Sequence, residues 1–316
     1  MKSILLVKTS SLGDVVHNLP VASDIHRAFP DAAIDWVVEE AFAAVPEAHP
    51  ALRAVLPVAV RRWRSAPWRR EIRAEIGAFG RRLRERHYDA VIDTQGLLKS
   101  ALITRMARGA GYGLDWQSSR EPLAFLYERT FNVPWSQHAV ERNRALAAQA
   151  LAYTAAPPVE YGIGARAAEF AWLPRQRYAV LLHASSAERK LWPEARWHEL
   201  GQYFLQRATR SVLPWGSAAE RARSVRLAEH IATAIVPPAL RMEEIMALLA
   251  GAQAVIGVDT GLTHLAAALG VATIGLYCAT DPGRTGIYGC AHGASLGGVG
   301  TAPQAADVIR TLEQTA

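Results

Sequence analysis

Three short stretches place residues capable of chemistry just beyond an apolar run. The first is Ile4-Leu5-Leu6-Val7 followed by Lys8-Thr9-Ser10-Ser11-Leu12-Gly13-Asp14. The apolar run breaks into a hydroxyl-rich loop, and Asp14 stands where helical spacing begins at Val15, Val16, Leu19, Ala22, Ile25 and Phe29. Ligands of open α/β sheets bind beyond the carboxyl ends of strands, so this carboxylate is placed to act as an acid or base. The second stretch is Ala254–Val258, then Asp259-Thr260-Gly261-Leu262-Thr263-His264. Asp259 or Thr260 can cap a helix, Gly261 admits a ligand close to the backbone, and the helix start attracts an anion. An ordinary capped helix with His264 in the core explains the same residues. The third is His183-Ala184-Ser185-Ser186-Ala187-Glu188-Arg189-Lys190 before Trp192-Pro193. Hydroxyls of Ser185 and Ser186 with the compact charge of Lys190 suit a diphosphate. The alternative is a surface lysine beside helix-capping serines.

Weaker candidates surround these. Glu220 follows Trp215-Gly216-Ser217 and could hold a ribose hydroxyl, or be an exposed helix glutamate; the segment around Met242 borders a base in the same reading. Gln95 and Lys99, in Gln95-Gly96-Leu97-Leu98-Lys99-Ser100, follow another strand and could meet an anionic acceptor. His138 and Arg142 could do likewise, though an amphipathic helix explains them. Arg61-Arg62-Trp63-Arg64 is the densest basic run, and its position near a strand end suits an anionic ligand. The basic residues from Arg69 to Arg86 alternate with glutamates as a solvated helix face does.

The elements that must position these residues alternate. Strand-like runs fall at Ile4–Val7, Ala33–Val38, Ala54–Val58, Ala90–Asp93, Tyr178–Leu182, Ser211–Pro214, Ala254–Val258 and Thr273–Tyr277. Helical spacing fills Asp14–Phe29, Trp68–Arg86, Leu97–Arg108, Glu194–Arg207, Ala218–Ile231, Glu243–Leu249 and Leu262–Leu269. Alternation of this kind predicts parallel sheets of right-handed βαβ units. The 316 residues suit two domains. The expected division is 1–154, a linker at 155–158 containing Pro157-Pro158, and 159–300, closed by a helix at 301–316. The class is α/β, as two doubly wound Rossmann-like domains facing across a cleft, and the two halves show no repeat in sequence.

Composition excludes several functions. Two cysteines, Cys278 and Cys290, make no disulfide framework, and neither has metal-ligand spacing. The apolar run after Met1-Lys2-Ser3 is only four residues, so no signal peptide is expected, and no run reaches the ~18 apolar residues of a spanning helix. A cytoplasmic protein is expected. The net charge is +6, and only Lys2, Lys8, Lys99 and Lys190 among the 35 basic residues are lysine. No D-x-D pair, P-loop, dinucleotide fingerprint, H-E-x-x-H or G-x-S-x-G occurs, so no cofactor or metal is expected and a metal-free diphosphate site remains. A nucleic-acid binder is disfavoured, because the basic run carries few stacking aromatics and no recognised module.

Together these segments resemble the lipopolysaccharide heptosyltransferases of glycosyltransferase family 9. The resemblance rests on Val7–His17, Arg61–Arg64, Tyr88–Ser100, Asp115-Trp116-Gln117-Ser118-Ser119-Arg120-Glu121-Pro122, His138–Arg142, Asp259–His264 and Thr280-Asp281-Pro282-Gly283. It runs from the first strand to about residue 290. The Arg-Arg-Trp-Arg and Asp-Trp-Gln segments are similar to those of the branch adding the first heptose. One departure is Ser185-Ser186, where threonines are expected; the hydroxyls survive.

The resemblance implies a GT-B fold and transfer of L-glycero-D-manno-heptose from ADP-heptose to the Kdo of a lipid A precursor, with inversion. It implies donor binding by Ser185, Ser186, Glu220, Met242, Asp259, Thr260, Gly261 and His264, catalysis by Asp14 and Lys190, and acceptor binding by Arg61, Arg62, Arg64, Gln95, Lys99 and Arg120. The final helix is expected to pack back on the first domain. A monomer is expected, meeting the cytoplasmic face of the inner membrane peripherally, with Trp63, Trp68 and Arg69 as surface candidates. Another nucleotide sugar or acceptor is the alternative within the same fold.

Overall fold

The computed structural model describes residues 2–315 and divides into two compact units, residues 1–163 and 164–316. In the first unit the strands are β1 (Ser3–Val7), β2 (Ala33–Glu39), β3 (Leu52–Val58), β4 (His87–Asp93), β5 (Arg108–Leu114) and β6 (Arg129–Phe131). They form one parallel sheet in the order β3-β2-β1-β4-β5-β6. Buried runs such as Ile4–Val7 are continuous because helices cover both faces of a parallel sheet. One side of this core gathers Leu5, Val7, Val37, Leu56, Phe79, Leu83 and Ile103.

The second unit carries β7 (Tyr178–Leu182), β8 (Arg210–Val212), β9 (Ala234–Ile235), β10 (Ala254–Val258), β11 (Thr273–Tyr277) and β12 (Gly293–Gly297). Their order is β12-β11-β10-β7-β8-β9, again all parallel. Counted from its own first strand, this is the order of the first unit. Each sheet therefore has a switch point, β1/β4 in one and β7/β10 in the other, where successive connections leave in opposite directions and open a crevice for ligand.

Several expectations are corrected. The single helix expected over Asp14–Phe29 is two, Leu12–Val16 and Leu19–Ala28, with Pro20 in the first turn of the second. Proline has no N–H to donate and is tolerated only where a helix begins. Arg61, Arg62 and Arg64 lie in a short helix of their own, Val60–Ser65. The unit boundary falls at Ile163/Gly164 rather than in the Pro-Pro linker. Residues 156–162 are bound to the first unit: Arg144 Nη2 donates to Ala156 O at 2.7 Å, Arg27 pairs with Glu160 at 3.0 Å, and Tyr161 is buried. The last helix, Ala305–Thr315, belongs to the second unit. Its Ala305, Val308 and Leu312 enter the core formed by Trp192, Trp197, Phe204, Ile274 and Leu276. An apolar stripe goes where a matching apolar face lies, and here that is its own sheet.

Candidate active site

In the first unit the loops after β1 and β4 meet at the switch point. Gln95 Oε1 accepts from both Thr9 N and Ser10 N at 3.1 Å, strapping the first loop to the second. The second loop is itself tied, as Asp93 Oδ1 accepts from Gln95 N and Gly96 N, and Tyr127 donates to Oδ2 at 2.8 Å. Gly96 stands at φ +65°, which a side chain would strain. Burial pushes the Asp93 carboxyl up, and the hydrogen bonds it accepts only oppose this. Lys8 is buried beneath the loop, donating to Thr94 O at 2.7 Å and to Asn143 Oδ1 at 3.3 Å. Burial lowers its pKa, against the opposing charges of Asp14 and Asp93.

On this base Asp14 sits half-buried in the first turn of Leu12–Val16. Ser11 donates to its Oδ2 twice, from N at 2.8 Å and from Oγ at 3.0 Å. Both bonds engage one oxygen. Lys99 Nζ donates to Ser10 Oγ, so the cation is anchored on the loop that carries Asp14. Burial lowers the Lys99 pKa, and the charges of Glu39, Arg61, Asp14 and Arg64 all reach it. Arg61 and Arg64 thus share one electrostatic neighbourhood with Lys99 and Asp14. Arg62 is turned to its own unit, bridging Glu40 and Glu75. Trp63 follows it, donating to Glu75 at 3.0 Å and packing on Phe79. Arg120 is exposed, its guanidinium 6.0 Å from the Trp135 ring centre, and Arg142 lies over the same ring at 3.8 Å.

In the second unit the loops after β7 and β10 meet in the same way. Lys190 Nζ lies 2.7 Å from Asp259 Oδ2, Thr280 Oγ1 donates to that oxygen at 2.7 Å, and His264 Nε2 lies 3.5 Å from Oδ1. Ser185 Oγ donates to Asp259 O at 3.1 Å, joining the two loops. Burial alone would raise the Asp259 carboxyl, yet the bonds from His264, Lys190 and Thr280, with the Lys190 charge, hold it well below the usual carboxylate range. The helix Gly261–Ala268 begins at Thr260, whose side chain makes no cap, so first-turn N–H groups are left open. Gly257 below has no room for a side chain: a Cβ would lie 2.1 Å from Thr263 Oγ1.

Ser186 is exposed, and Met242 begins the helix Met242–Ala250, half-buried. Glu220 is already engaged, its Oε2 accepting from Gly216 N at 2.6 Å while Ser217 caps its helix. Asp14, Gln95 and Lys99 come together in the first unit and Ser185, Lys190, Asp259 and His264 in the second, whereas the charge of Arg62 is spent on two glutamates and Glu220 bonds the start of its own helix. Sequence reasoning gave Thr280 and Asp93 no role, though both stand in segments that carry the resemblance, and missed Asn143. Thr280 had a signal, because a strand ends three residues before it and the strand-end rule applied to β11 as well. Among the described residues, no three His, Cys, Asp or Glu side chains are grouped to hold a metal ion.

Two Rossmann-type units of one strand order, each with its charged and hydroxyl side chains gathered at the switch point, define the GT-B class of glycosyltransferase. The model of glycosyltransferase family 9 (heptosyltransferase) matches residues 76–309. Lipopolysaccharide heptosyltransferase 1 of Pseudomonas aeruginosa is 50% identical over 289 residues, covering 90% of this chain and 81% of that protein. The protein of the same name from Escherichia coli K12 is 48% identical over 291 residues, 90% of this chain and 91% of its own. The solved E. coli heptosyltransferase WaaC with ADP superposes with a TM-score of 0.90 at 42% identity, covering 99% of this chain and all of that one. The chain belongs to glycosyltransferase family 9, the heptosyltransferases.

Proposed function

We propose that this protein moves L-glycero-D-manno-heptose from ADP-heptose to the Kdo of a lipid A precursor, with inversion and without a metal ion. The observation that carries this reading is a cluster of charged and hydroxyl side chains at the switch point of each unit, in a chain similar to lipopolysaccharide heptosyltransferase 1 over nine-tenths of its length. E. coli WaaC has also been solved with ADP-2-deoxy-2-fluoro heptose, at a TM-score of 0.86 and 42% identity.

The second unit offers what a leaving diphosphate needs. Lys190 is paired to Asp259 through one contact, and an ammonium has three N–H donors, so two remain for phosphate oxygens. The open first turn at Thr260-Gly261 adds backbone N–H groups and the positive end of a helix dipole. Ser185 and Ser186 add hydroxyls. These groups would take up the charge that develops as the anomeric C–O bond to ADP breaks, the work a metal ion does elsewhere. Glu220 and Met242 would border the nucleoside, with the Glu220 carboxylate exchanging its Gly216 contact for a ribose hydroxyl.

The first unit offers a base and an anion-binding surface. Ser11 occupies Asp14 Oδ2, which leaves Oδ1 to accept the proton of the acceptor hydroxyl as its oxygen bonds to the anomeric carbon. The contribution of Asp14 is positional, and the proton moves late, once the hydroxyl oxygen has begun to bond. Lys99, Arg61, Arg64 and Arg120 would hold acceptor carboxylates and phosphates, arginine in two-pronged fashion.

The test is an assay with ADP-heptose and a Kdo-bearing lipid A, set against UDP-sugars. Product is expected with ADP-heptose alone and in the presence of EDTA. Asp14→Ala should lower kcat by about 10²- to 10⁴-fold while ADP binding persists. A fully active Asp14→Ala enzyme would refute the base, and a strict magnesium requirement would refute the metal-free cradle.

A further inference from the structure

Large apolar side chains are exposed together on the first unit. The helix Leu98–Met106 shows Leu98, 51% exposed, and Leu102, 50% exposed, one turn apart on one face. Beside them on the same helix, Ala101 is buried against Leu123 and Tyr127. The turn Ala124–Leu126 follows Leu123 and carries Phe125 outward, 71% exposed. Trp116, 58% exposed, stacks on Phe125 with ring centres 6.2 Å apart. Leu98 N donates to Glu121 Oε2 at 2.7 Å, which ties the loop of the two aromatics to the helix of the two leucines. Contiguous exposure of this kind is uncommon on a surface that meets only water.

The charges around the patch are of both signs with an excess of cations, Lys99, Arg105, Arg120 and Arg129 against Asp115, Glu121 and Glu128. Arg105, Arg120 and Arg129 are exposed and none forms an ion pair among the described residues. Glu121 and Glu128 are held back against backbone amides, of Leu98 and Gly111, and keep their charge there, while the three arginines extend into solvent. Lys99, next to Leu98 in the same helix, reaches the Asp14 loop through Ser10. Trp63 and Trp68 do not make a second such surface, because Trp63 is packed on Phe79 and tied to Glu75.

We infer that Leu98, Leu102, Trp116 and Phe125 form the surface by which this protein rests on an anionic bilayer. The inference rests on the proposed lipid-anchored acceptor. Aromatic and leucine side chains enter the headgroup boundary while arginines remain at the phosphates, an arrangement that holds a protein on a membrane without spanning it. Among the described residues no helix is long and apolar enough to cross a membrane. The patch lies beside the acceptor half-site, so docking would bring a sugar anchored in the bilayer toward Asp14.

The experiment uses the full chain and sedimentation with vesicles of phosphatidylethanolamine and phosphatidylglycerol, against pure phosphatidylcholine. The wild type should bind the anionic vesicles, and the double variant Leu102→Gln, Phe125→Ser should bind about tenfold more weakly or worse. Both side chains are exposed, and an unchanged thermal melt confirms the fold. Heptose transfer to a deacylated, water-soluble acceptor should be unchanged in the variant, while transfer to acceptor in vesicles falls. Equal vesicle binding by wild type and variant would overturn the inference. So would loss of binding in Trp68→Ala with retention in the double variant, or a dimer in sedimentation velocity that the double variant abolishes. Failure of the wild type to glycosylate even the soluble acceptor would instead strike the proposed function, with vesicle binding still read separately.

Discussion

Asp14 and Asp259 both follow a central strand, yet their surroundings give them different work. Asp14 is half-buried with one oxygen engaged by Ser11 and the other left to accept, as the proposed base requires. Asp259 is buried and receives Lys190, Thr280 and His264, as suits a group that fixes its neighbours. Because the folded-state pKa of Asp259 is depressed, its contribution to stability is present above the ordinary value near 3.8 and is lost as pH falls through the lower folded one. Asp259→Asn should therefore cost about 2–3 kcal/mol at pH 7, discounted for the partly exposed Lys190, with the difference shrinking below about pH 4. Urea melts at pH 7 and pH 3 check both the size and the sign. The positions of such residues were legible in the sequence, because apolar runs ending in polar loops mark strand ends. Their partners were not. Nothing in the spacing of Glu220 foretells its bond to the Gly216 amide, nor in Arg62 its bridge to Glu40 and Glu75.

Among the elements, legibility followed burial. The ends of β7, β10 and β11 coincide with those read from the sequence, each being a continuous buried run. The strands that escaped, β5, β6, β9 and β12, lie toward the sheet edges and are short or rich in glycine, as in Arg-Gly-Ala-Gly-Tyr-Gly-Leu and Gly-Ala-Ser-Leu-Gly. There the sheet, not local propensity, imposes the extended form. Two elements yield predictions. Gln95→Leu leaves the Thr9 and Ser10 amides without their acceptor, costing about 1–3 kcal/mol and loosening the loop that holds Asp14. Its kcat should fall several-fold while KM for the donor is unchanged, separating a strap on the loop from a donor contact. Gly257→Ala drives a methyl group against Thr263 Oγ1 and Leu182 at the foot of the helix Gly261–Ala268. It should cost about 1–3 kcal/mol in denaturant and raise the Kd for ADP.

At the scale of the whole molecule, two units of identical strand order each carry one cluster of charged side chains at a switch point. No sequence repeat announced the shared topology, because parallel sheets require only buried runs between helices and many sequences satisfy that. The destination of the last helix was equally hidden, since an amphipathic stripe specifies a face without naming which. The division has a thermodynamic consequence. A ligand that binds one unit stabilises it by RT ln(1 + [L]/Kd), about 2.7 kcal/mol at a hundredfold excess over Kd. If the phosphate cradle is the one at β7/β10, ADP should slow amide exchange throughout residues 164–316, the last helix included through Val308 and Leu312 in that core. Exchange in β2 and β3 should be unchanged, as these strands lie in the other unit. Val308→Asp puts a carboxylate without a partner into the second core, where it should unfold that unit and abolish ADP binding while protection of Ile4–Val7 and Ala33–Glu39 survives. Exchange mass spectrometry on the full chain, with and without ADP, reads both outcomes, and ADP protection confined to the first unit would reverse the assignment of donor and acceptor.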